Sequence, residues 1–238
     1  SDVDMMNVTT DFYTSEDKFV TFYITVSGHA PYNFSGGNST AIKYKDYVKD
    51  LPYSTPVKAY LASQMELDRA LEALINKLDE KGILEDTVIA LVGDHYPYTL
   101  SIDEVNEVSS YTRDSIVEVN RSNFILWNSE IEEPIQVNKV GSQIDVLPTL
   151  LNLFGIEYDS RLLIGQDILS DNPGVAIFSN RSWVSDYGTY FAGNKQFVSN
   201  GNGEVDENYV NEMNKSVANK FTMSQSFLKY EIYERLVK

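Results

Sequence analysis

Phe19-Val20-Thr21-Phe22-Tyr23-Ile24-Thr25-Val26, which runs into Ser27-Gly28-His29, and Thr87-Val88-Ile89-Ala90-Leu91-Val92, which runs into Gly93-Asp94-His95, are the two stretches on which the fold turns. Each is β-branched, aromatic or aliphatic almost throughout, the pattern of a strand buried on both faces in a parallel sheet. Between them Pro56 opens an amphipathic pattern with Val57, Tyr60, Leu61, Met65, Leu71, Leu74, Ile75 and Leu78 at near-helical spacing, carried to about Lys81 and stopped by Gly82. Strand, helix, strand is βαβ logic and predicts that the two runs lie parallel in one sheet. Both then end at the sheet edge where open α/β folds place ligands and catalytic groups.

Outward from this centre, residues 32 to 53 are rich in Gly, Asn, Ser, Lys and Tyr and read as a long surface excursion. Asn123 to Trp127 is a third strand candidate. Gln143 to Phe154 reads as a helix that Pro148 kinks or restarts and Gly155 terminates. Val175 to Phe178, Trp183 to Phe191 and Lys195 to Val198 read as strands, the last two joined through the hairpin signal Gly193-Asn194, so this end is antiparallel. Helical periodicity follows from about Asp206 to Phe221 and from Met223 to Val237. The length fits one α/β domain spanning 1–238, with a core to residue 170 and antiparallel strands and helices over 171–238. Ser1 to Met6 enters without an obvious start signal, which points to a cut or processed chain truncated at its N-terminus.

Composition narrows the function classes. The 42% hydrophobic content supports a packed core. Nineteen Lys and Arg against 35 Asp and Glu give a net charge of -16, which repels nucleic acid and anionic membrane surfaces, so no nucleic acid partner is expected. An anionic substrate then needs a bound cation or a local basic cluster. The absence of Cys removes disulfides, Cys-based zinc sites and thiolate nucleophiles. No run approaches a membrane span and no signal segment opens the chain, so the piece as given reads as soluble.

The chain has only two histidines, His29 and His95, and both follow strand candidates of one predicted sheet, so they are positioned to face a common cleft. Asp94 and His95 are an adjacent oxygen and nitrogen donor of the kind transition metals accept. His29 suits phosphate contact or proton transfer. Two donors do not complete a catalytic metal site, which usually has three protein ligands. Asp145, in a helix pattern, and Asp167, in a turn, are better explained by hydrogen bonding or solvation. Arg113, Arg121, Arg161 and Arg181 read as surface ion-pairing residues, and the two Trp and the Tyr residues as core. No G-x-S-x-G elbow or phosphate-cradling Gly-rich loop is present, so ordinary serine hydrolase and NTPase readings fail.

Phe22-Tyr23-Ile24-Thr25-Val26-Ser27-Gly28-His29-Ala30-Pro31-Tyr32, Tyr60-Leu61-Ala62-Ser63-Gln64-Met65-Glu66-Leu67-Asp68, Gly93-Asp94-His95-Tyr96-Pro97 and Gln143-Ile144-Asp145-Val146-Leu147-Pro148-Thr149-Leu150-Leu151, in this order and spacing, resemble the lipoteichoic acid synthases and related phosphoglycerol transferases of the alkaline phosphatase and sulfatase superfamily. The resemblance covers roughly residues 1 to 200. It implies an alkaline phosphatase/sulfatase-like α/β fold with a mainly parallel sheet flanked by helices. It implies Asp94 and His95 as ligands of one divalent ion, manganese first, with magnesium, zinc and calcium as alternatives and with the ion absent from the fragment as a further case. His29 would contact the phosphoglycerol group and Tyr96 would flank the metal pair. The family's Thr nucleophile and Glu ligand, with a substrate-binding Arg and Trp, lie upstream of residue 1, so no catalytic nucleophile is assigned and the fragment itself is expected to be inactive. The implied parent is anchored by upstream transmembrane helices at the extracellular face of the cell membrane, moving phosphoglycerol from a phospholipid headgroup to a glycolipid acceptor.

Pro97-Tyr98 departs from relatives that continue with Gly, which alters the loop beyond the metal pair. The alternatives are a sulfatase or phosphatase-type hydrolase of the same superfamily, with water as acceptor, and an envelope-binding module without catalysis. Transferred against hydrolysed product separates the first; absence of the Thr and Glu from the complete gene would favour the second.

Overall fold

A computed structural model describes residues 1–236, which gather into two compact units, one over 1–134 and one from Ile135 onward. The division falls after Pro134, whereas composition places an internal boundary of a single domain near residue 170.

In the first unit the elements are α1 (Asp2–Tyr13), α2 (Ser39–Lys43), α3 (Lys45–Val48), α4 (Thr55–Glu80), β1 (Ile89–Val92), α5 (Ile102–Glu107) and β2 (Phe124–Trp127). α4 is its spine. Pro56 sits in its first turn, where a missing N–H costs nothing, and Gly82 follows its end at φ +69°, a conformation that favours glycine. Its buried face runs Val57, Ala59, Ala62, Ser63, Glu66, Ala70, Leu74, Leu78. Val57 packs with Leu100 and Val105; Ala59 and Ala62 with Ala41, Tyr44 and Val48; Ala70, Leu74 and Leu78 with Met6 of α1. The three alanines let neighbouring backbones approach closely, while each fully buried Val or Leu contributes about 2 kcal/mol.

α1 has a start signal that the apolar pattern conceals. The Ser1 hydroxyl accepts from the Asp4 amide at 3.3 Å and donates to the Asp4 carboxylate at 3.0 Å, a capping box with Asp in the Glu position. The stretch 32–53 is likewise more than a surface excursion. Ala41, Tyr44 and Val48 recur at helical spacing and bury against α4, a signal diluted by the Lys, Asn and Gly around them.

The predicted parallel pair is not formed among the described residues. Phe19–Val26 forms no regular element and joins no ladder, and β1 pairs antiparallel with β2, Ile89 opposite Trp127 and Val92 opposite Phe124. An apolar run specifies that its side chains seek burial; which backbone meets its N–H and C=O groups depends on what chain is at hand.

The second unit contains α6 (Val146–Leu153), β3 (Val175–Ile177), β4 (Trp183–Ser185), β5 (Gly188–Phe191), β6 (Gln196–Ser199), α7 (Glu207–Lys229) and α8 (Ile232–Leu236). A 3-10 turn at Gln143–Asp145 precedes α6, so Pro148 falls in the first turn of a restarted helix, and Gly155 ends it at φ +62°. The strands form an antiparallel sheet in sequence order. The run Trp183 to Phe191 is a hairpin rather than one strand: Ser185 pairs with Gly188 across Asp186-Tyr187, and the Asp186 carboxylate takes the amides of Val140 and Gly174. The expected hairpin through Gly193-Asn194 joins β5 to β6. Trp183 is fully buried against Tyr190, Phe197 and Tyr209 and donates its indole N–H to Asn214 of α7 at 2.9 Å. α7 runs through the predicted break at residue 222 and stops at Tyr230, with Glu231 at φ +51°. The predicted helix end at Val237 lies outside the described residues.

Glu66 is 1% exposed in the middle of α4. Burial pushes its carboxyl up, but the Lys43 ammonium at 2.8 Å and the Tyr44 hydroxyl at 2.6 Å outweigh burial and hold it at about 2. The folded value lies below the ordinary 4.5, so the stabilisation is present above about pH 4.5 and disappears as pH falls toward 2. Glu66→Gln is expected to lower the unfolding free energy by about 2 kcal/mol at neutral pH. In urea unfolding the gap to the wild type should close between pH 4.5 and 2.

Candidate functional site

His29 is carried by a turn fastened from three sides within the first unit. The buried Asp2 carboxylate accepts from the Val26 amide at 3.0 Å and the Ser27 amide at 2.9 Å, while the Asp2 amide, at the start of α1, donates to the Ser27 hydroxyl at 3.0 Å. From α4, the Gln64 side-chain amide donates to the Gly28 carbonyl at 3.2 Å, and a Cβ on Gly28 would lie 2.7 Å from that nitrogen. Asn38, capping α2, donates to the Pro31 carbonyl at 2.9 Å and accepts from the Ala41 amide at 2.8 Å. A side chain at position 28 would displace the Gln64 amide that holds this turn.

Asp94, His95 and Tyr98 follow β1, and they meet His29. The His29 and His95 rings lie edge to face with centroids 6.5 Å apart, Tyr98 stands 4.9 Å from His95 and 6.5 Å from His29, and the Tyr98 hydroxyl is 3.5 Å from His29 Nε2. The two histidines that the sequence places after separate strand candidates thus lie with their rings 6.5 Å apart. Tyr98 is the member that sequence reading missed, because Pro97-Tyr98 stands out only as a departure from the family pattern. Its signal is an aromatic three residues past the histidine, beyond a proline that redirects the chain.

Each histidine is oriented by its neighbour's carbonyl: His29 Nδ1 lies 2.9 Å from the Ala30 oxygen and His95 Nδ1 2.8 Å from the Tyr96 oxygen. A carbonyl can only accept, so Nδ1 is the donor in each of these contacts and Nε2 is the ring atom left for a further partner. Tyr98 then donates to His29. Tyr96, expected to flank the metal pair, contributes its backbone oxygen to His95. Beneath the cleft, burial first, with Tyr60, Tyr98 and Asp94 nearby, pushes the half-buried Tyr32 up to about 12, so it remains a phenol.

The donor set can be tested against a metal ion. The His95 Nε2 lone pair sits 3.5 Å from Asp94 Oδ2, while Asp94 Oδ1 accepts from the His95 amide at 2.8 Å. Two lone-pair atoms at this separation repel unless a proton or a cation is shared between them. A tetrahedral ion with ligand distances near 2.1 Å places its ligands about 3.4 Å apart, a spacing comparable to this one. The Nδ1–H to carbonyl bond of His95 is the outer interaction that metal-ligating histidines usually make. Among the described residues no group of three or more His, Asp or Glu side chains is positioned to hold a metal.

Asp145 and Asp167 are each engaged within the second unit. The Asp145 carboxylate accepts from the amides of Ser142 and Gln166, each at 2.8 Å, and Asp167 accepts from the Leu169 amide and the Asn152 side chain. Arg113 donates to the carbonyls of Glu118 and Arg121, and Arg161 grips Asp159. A cavity of about 490 Å³ opens beside His29, lined by Asp2, Ser27, Asn38, Ser39 and Thr40. A slightly larger groove of about 530 Å³ lies between α1 and α4, away from the histidines, and its cations Lys43, Arg69 and Lys77 are engaged by Glu66, Glu72 and Asp11.

The sulfatase family profile matches residues 1–156, and the chain belongs to that family. It is similar to the lipoteichoic acid synthase of Staphylococcus saprophyticus, 28% identical over 189 residues that make up 77% of this chain and 28% of that protein. It is also similar to lipoteichoic acid synthase 2 of Bacillus subtilis, 26% identical over 212 residues, 85% of this chain and 31% of that protein. The crystal structure of the lipoteichoic acid synthase LtaP from Listeria monocytogenes shares the fold, with a TM-score of 0.72 at 22% identity over 96% of this chain and 59% of that one. The sulfatase-like fold class therefore holds, with antiparallel strands and helices in the C-terminal part. The chain spans less than a third of the length of these two curated relatives.

Asp2 is the fastening with the most testable consequence. Asp2→Ala removes a charged acceptor from two amides, a loss of about 2 kcal/mol that should speed exchange of the Val26 and Ser27 amides about 30-fold. Hydrogen exchange measured by NMR reads this directly, and the Val92 amide in β1 should be unaffected.

Proposed function

We propose that the protein to which this chain contributes transfers phosphoglycerol from a membrane phospholipid to a glycolipid acceptor in the cell envelope, on the extracellular side of the membrane. The observation that carries the reading is the convergence of His29 with Asp94 and His95, with both imidazoles oriented to present Nε2. The similarity to lipoteichoic acid synthases supports the substrate class, and the net charge of -16 supports the need for a cation at an anionic substrate.

Asp94 and His95 would hold a divalent ion, manganese in the first instance, with further ligands and a Thr nucleophile supplied by polypeptide outside this chain. Such an ion lowers the pKa of a nucleophile and stabilises charge on the transferring phosphorus. His95 keeps its Nε2 lone pair available because Tyr96 fixes the proton on Nδ1. His29 meets the phosphoglycerol group through Nε2, accepting from a glycerol hydroxyl when neutral and donating to a phosphate oxygen when protonated. Tyr98 holds that nitrogen until substrate arrives, and the fastenings of residues 26–31 by Asp2, Gln64 and Asn38 keep the ring in place. No helix among the described residues is long and apolar enough to cross a membrane.

The test is transfer of labelled glycerophosphate from phosphatidylglycerol vesicles by the full-length protein. Asp94→Asn and His95→Gln are each expected to cut turnover at least about 100-fold. This chain alone should give no turnover above background. Metal-dependent turnover by the isolated chain would overturn the assignment of the nucleophile to outside polypeptide. Free glycerophosphate in place of an extended polymer would move the protein to the hydrolases of the same superfamily.

A further inference from the structure

Tyr98 belongs to a loop that is fastened at both ends. The Tyr96 carbonyl lies 2.8 Å from His95 Nδ1 and accepts from the Tyr98 amide at 2.8 Å, so one oxygen sets both the imidazole and the backbone that carries the phenol. Beyond it the Leu100 amide donates to the Pro97 carbonyl at 2.9 Å, and the Leu100 side chain is buried with Val57 of α4 and Val105 of α5. Ser101 then starts α5 with a capping box, its hydroxyl accepting from the Glu104 amide at 3.3 Å and donating to the Glu104 carboxylate at 2.9 Å. A loop held by a carbonyl, a core residue and a cap presents its side chain already ordered, so little entropy remains to be lost when a ligand arrives.

The hydroxyl that this loop presents is weakly satisfied. It stands 3.5 Å from His29 Nε2, the outer limit of a hydrogen bond, and the residue is 52% exposed. A phenol is a neutral donor whose bond strengthens when the acceptor carries charge. An anionic oxygen seated between the hydroxyl and His29 lies within reach of both, because two hydrogen bonds of ordinary length close a triangle on a 3.5 Å base. The cavity beside His29 is lined by no Lys or Arg among the described residues, so neutral donors are what this acidic chain brings to an anion there.

The structure assigns Tyr98 as a substrate-binding residue whose hydroxyl donates to a non-bridging phosphate oxygen of the phosphoglycerol group, next to His29. The inference rests on the phosphoglycerol reading of the cleft. It adds to that reading a donor from the loop where Pro97-Tyr98 departs from the relatives that continue with Gly. A latch that keeps ligands off Nε2 is the other use of such a phenol. The 3.5 Å contact is too long to hold much, and exchanging it for a charge-assisted bond favours the ligand.

Tyr98→Phe in the full-length protein keeps the ring that stands against His95 and removes the donor alone. In transfer from phosphatidylglycerol vesicles the loss should appear in KM rather than in kcat, with KM raised about 10-fold. Glycerol 1-phosphate, titrated calorimetrically, should bind the variant about 10-fold more weakly, with the melting temperature within about 2 °C of the wild type. Unchanged KM and affinity would reduce Tyr98 to packing and overturn the inference. Tighter binding by the variant would make it a latch and overturn it too, as would a wild type that binds neither glycerol 1-phosphate nor inorganic phosphate. A wild type that binds inorganic phosphate without transferring phosphoglycerol would remove the reading of the cleft and leave the donor, whose loss would still weaken phosphate about 10-fold.

Discussion

The buried face of α4 is the constraint on which the first unit depends. Its alanines at 59, 62 and 70 admit α2, α3 and α1 at close range, and Val57, Leu74 and Leu78 fill what remains. Into this face the chain places one carboxylate, Glu66, and makes it tolerable with Lys43 and Tyr44 from the elements packed against it. A buried charge paired through one oxygen with two side chains specifies how their elements sit, because any other docking leaves it uncompensated. α4 also reaches the site, since Gln64 on the same helix holds the Gly28 carbonyl.

The site gains its shape from this scaffold while its residues come from connecting turns. Asp2 binds the turn before His29 through two amides, and the antiparallel pairing of β1 with β2 brings Asp94 and His95 to the same place. Loops on a rigid support are where chemistry usually resides. The support here fixes backbone positions, and the carbonyls of Ala30 and Tyr96 then fix which nitrogen of each ring is bare. The acidity of the chain fits this arrangement: the three cations of the larger groove are each engaged by a carboxylate, and the cleft with the two histidines offers donors for a cation.

The second unit follows a different logic. Trp183 fills the centre of an antiparallel sheet, and its indole N–H finds Asn214 on the helix that covers the sheet. Asp186 turns what reads as one long strand into a hairpin by binding two amides from neighbouring segments. Asp145, within the Gln143–Leu151 stretch that resembles the phosphoglycerol transferases, caps the turn before α6. Here the carboxylates are structural, as their helix and turn positions indicate.

By itself the sequence determined α4 and its limits, the strands around Ile89, Phe124 and Val175, the hairpin at Gly193-Asn194, and the convergence of the two histidines, because apolar periodicity, proline and glycine act within a few residues of where they stand. It also carried the family resemblance in short motifs of fixed order. Tertiary structure alone decided that β1 pairs antiparallel with β2, that Ala41, Tyr44 and Val48 are core, and that Tyr98 joins the histidines. Each of these depends on a partner far away in the chain, or on a side-chain direction that composition does not encode. Phe19–Val26 shows the boundary most clearly: its residues specify a buried strand, and burial requires neighbours that no local pattern can supply.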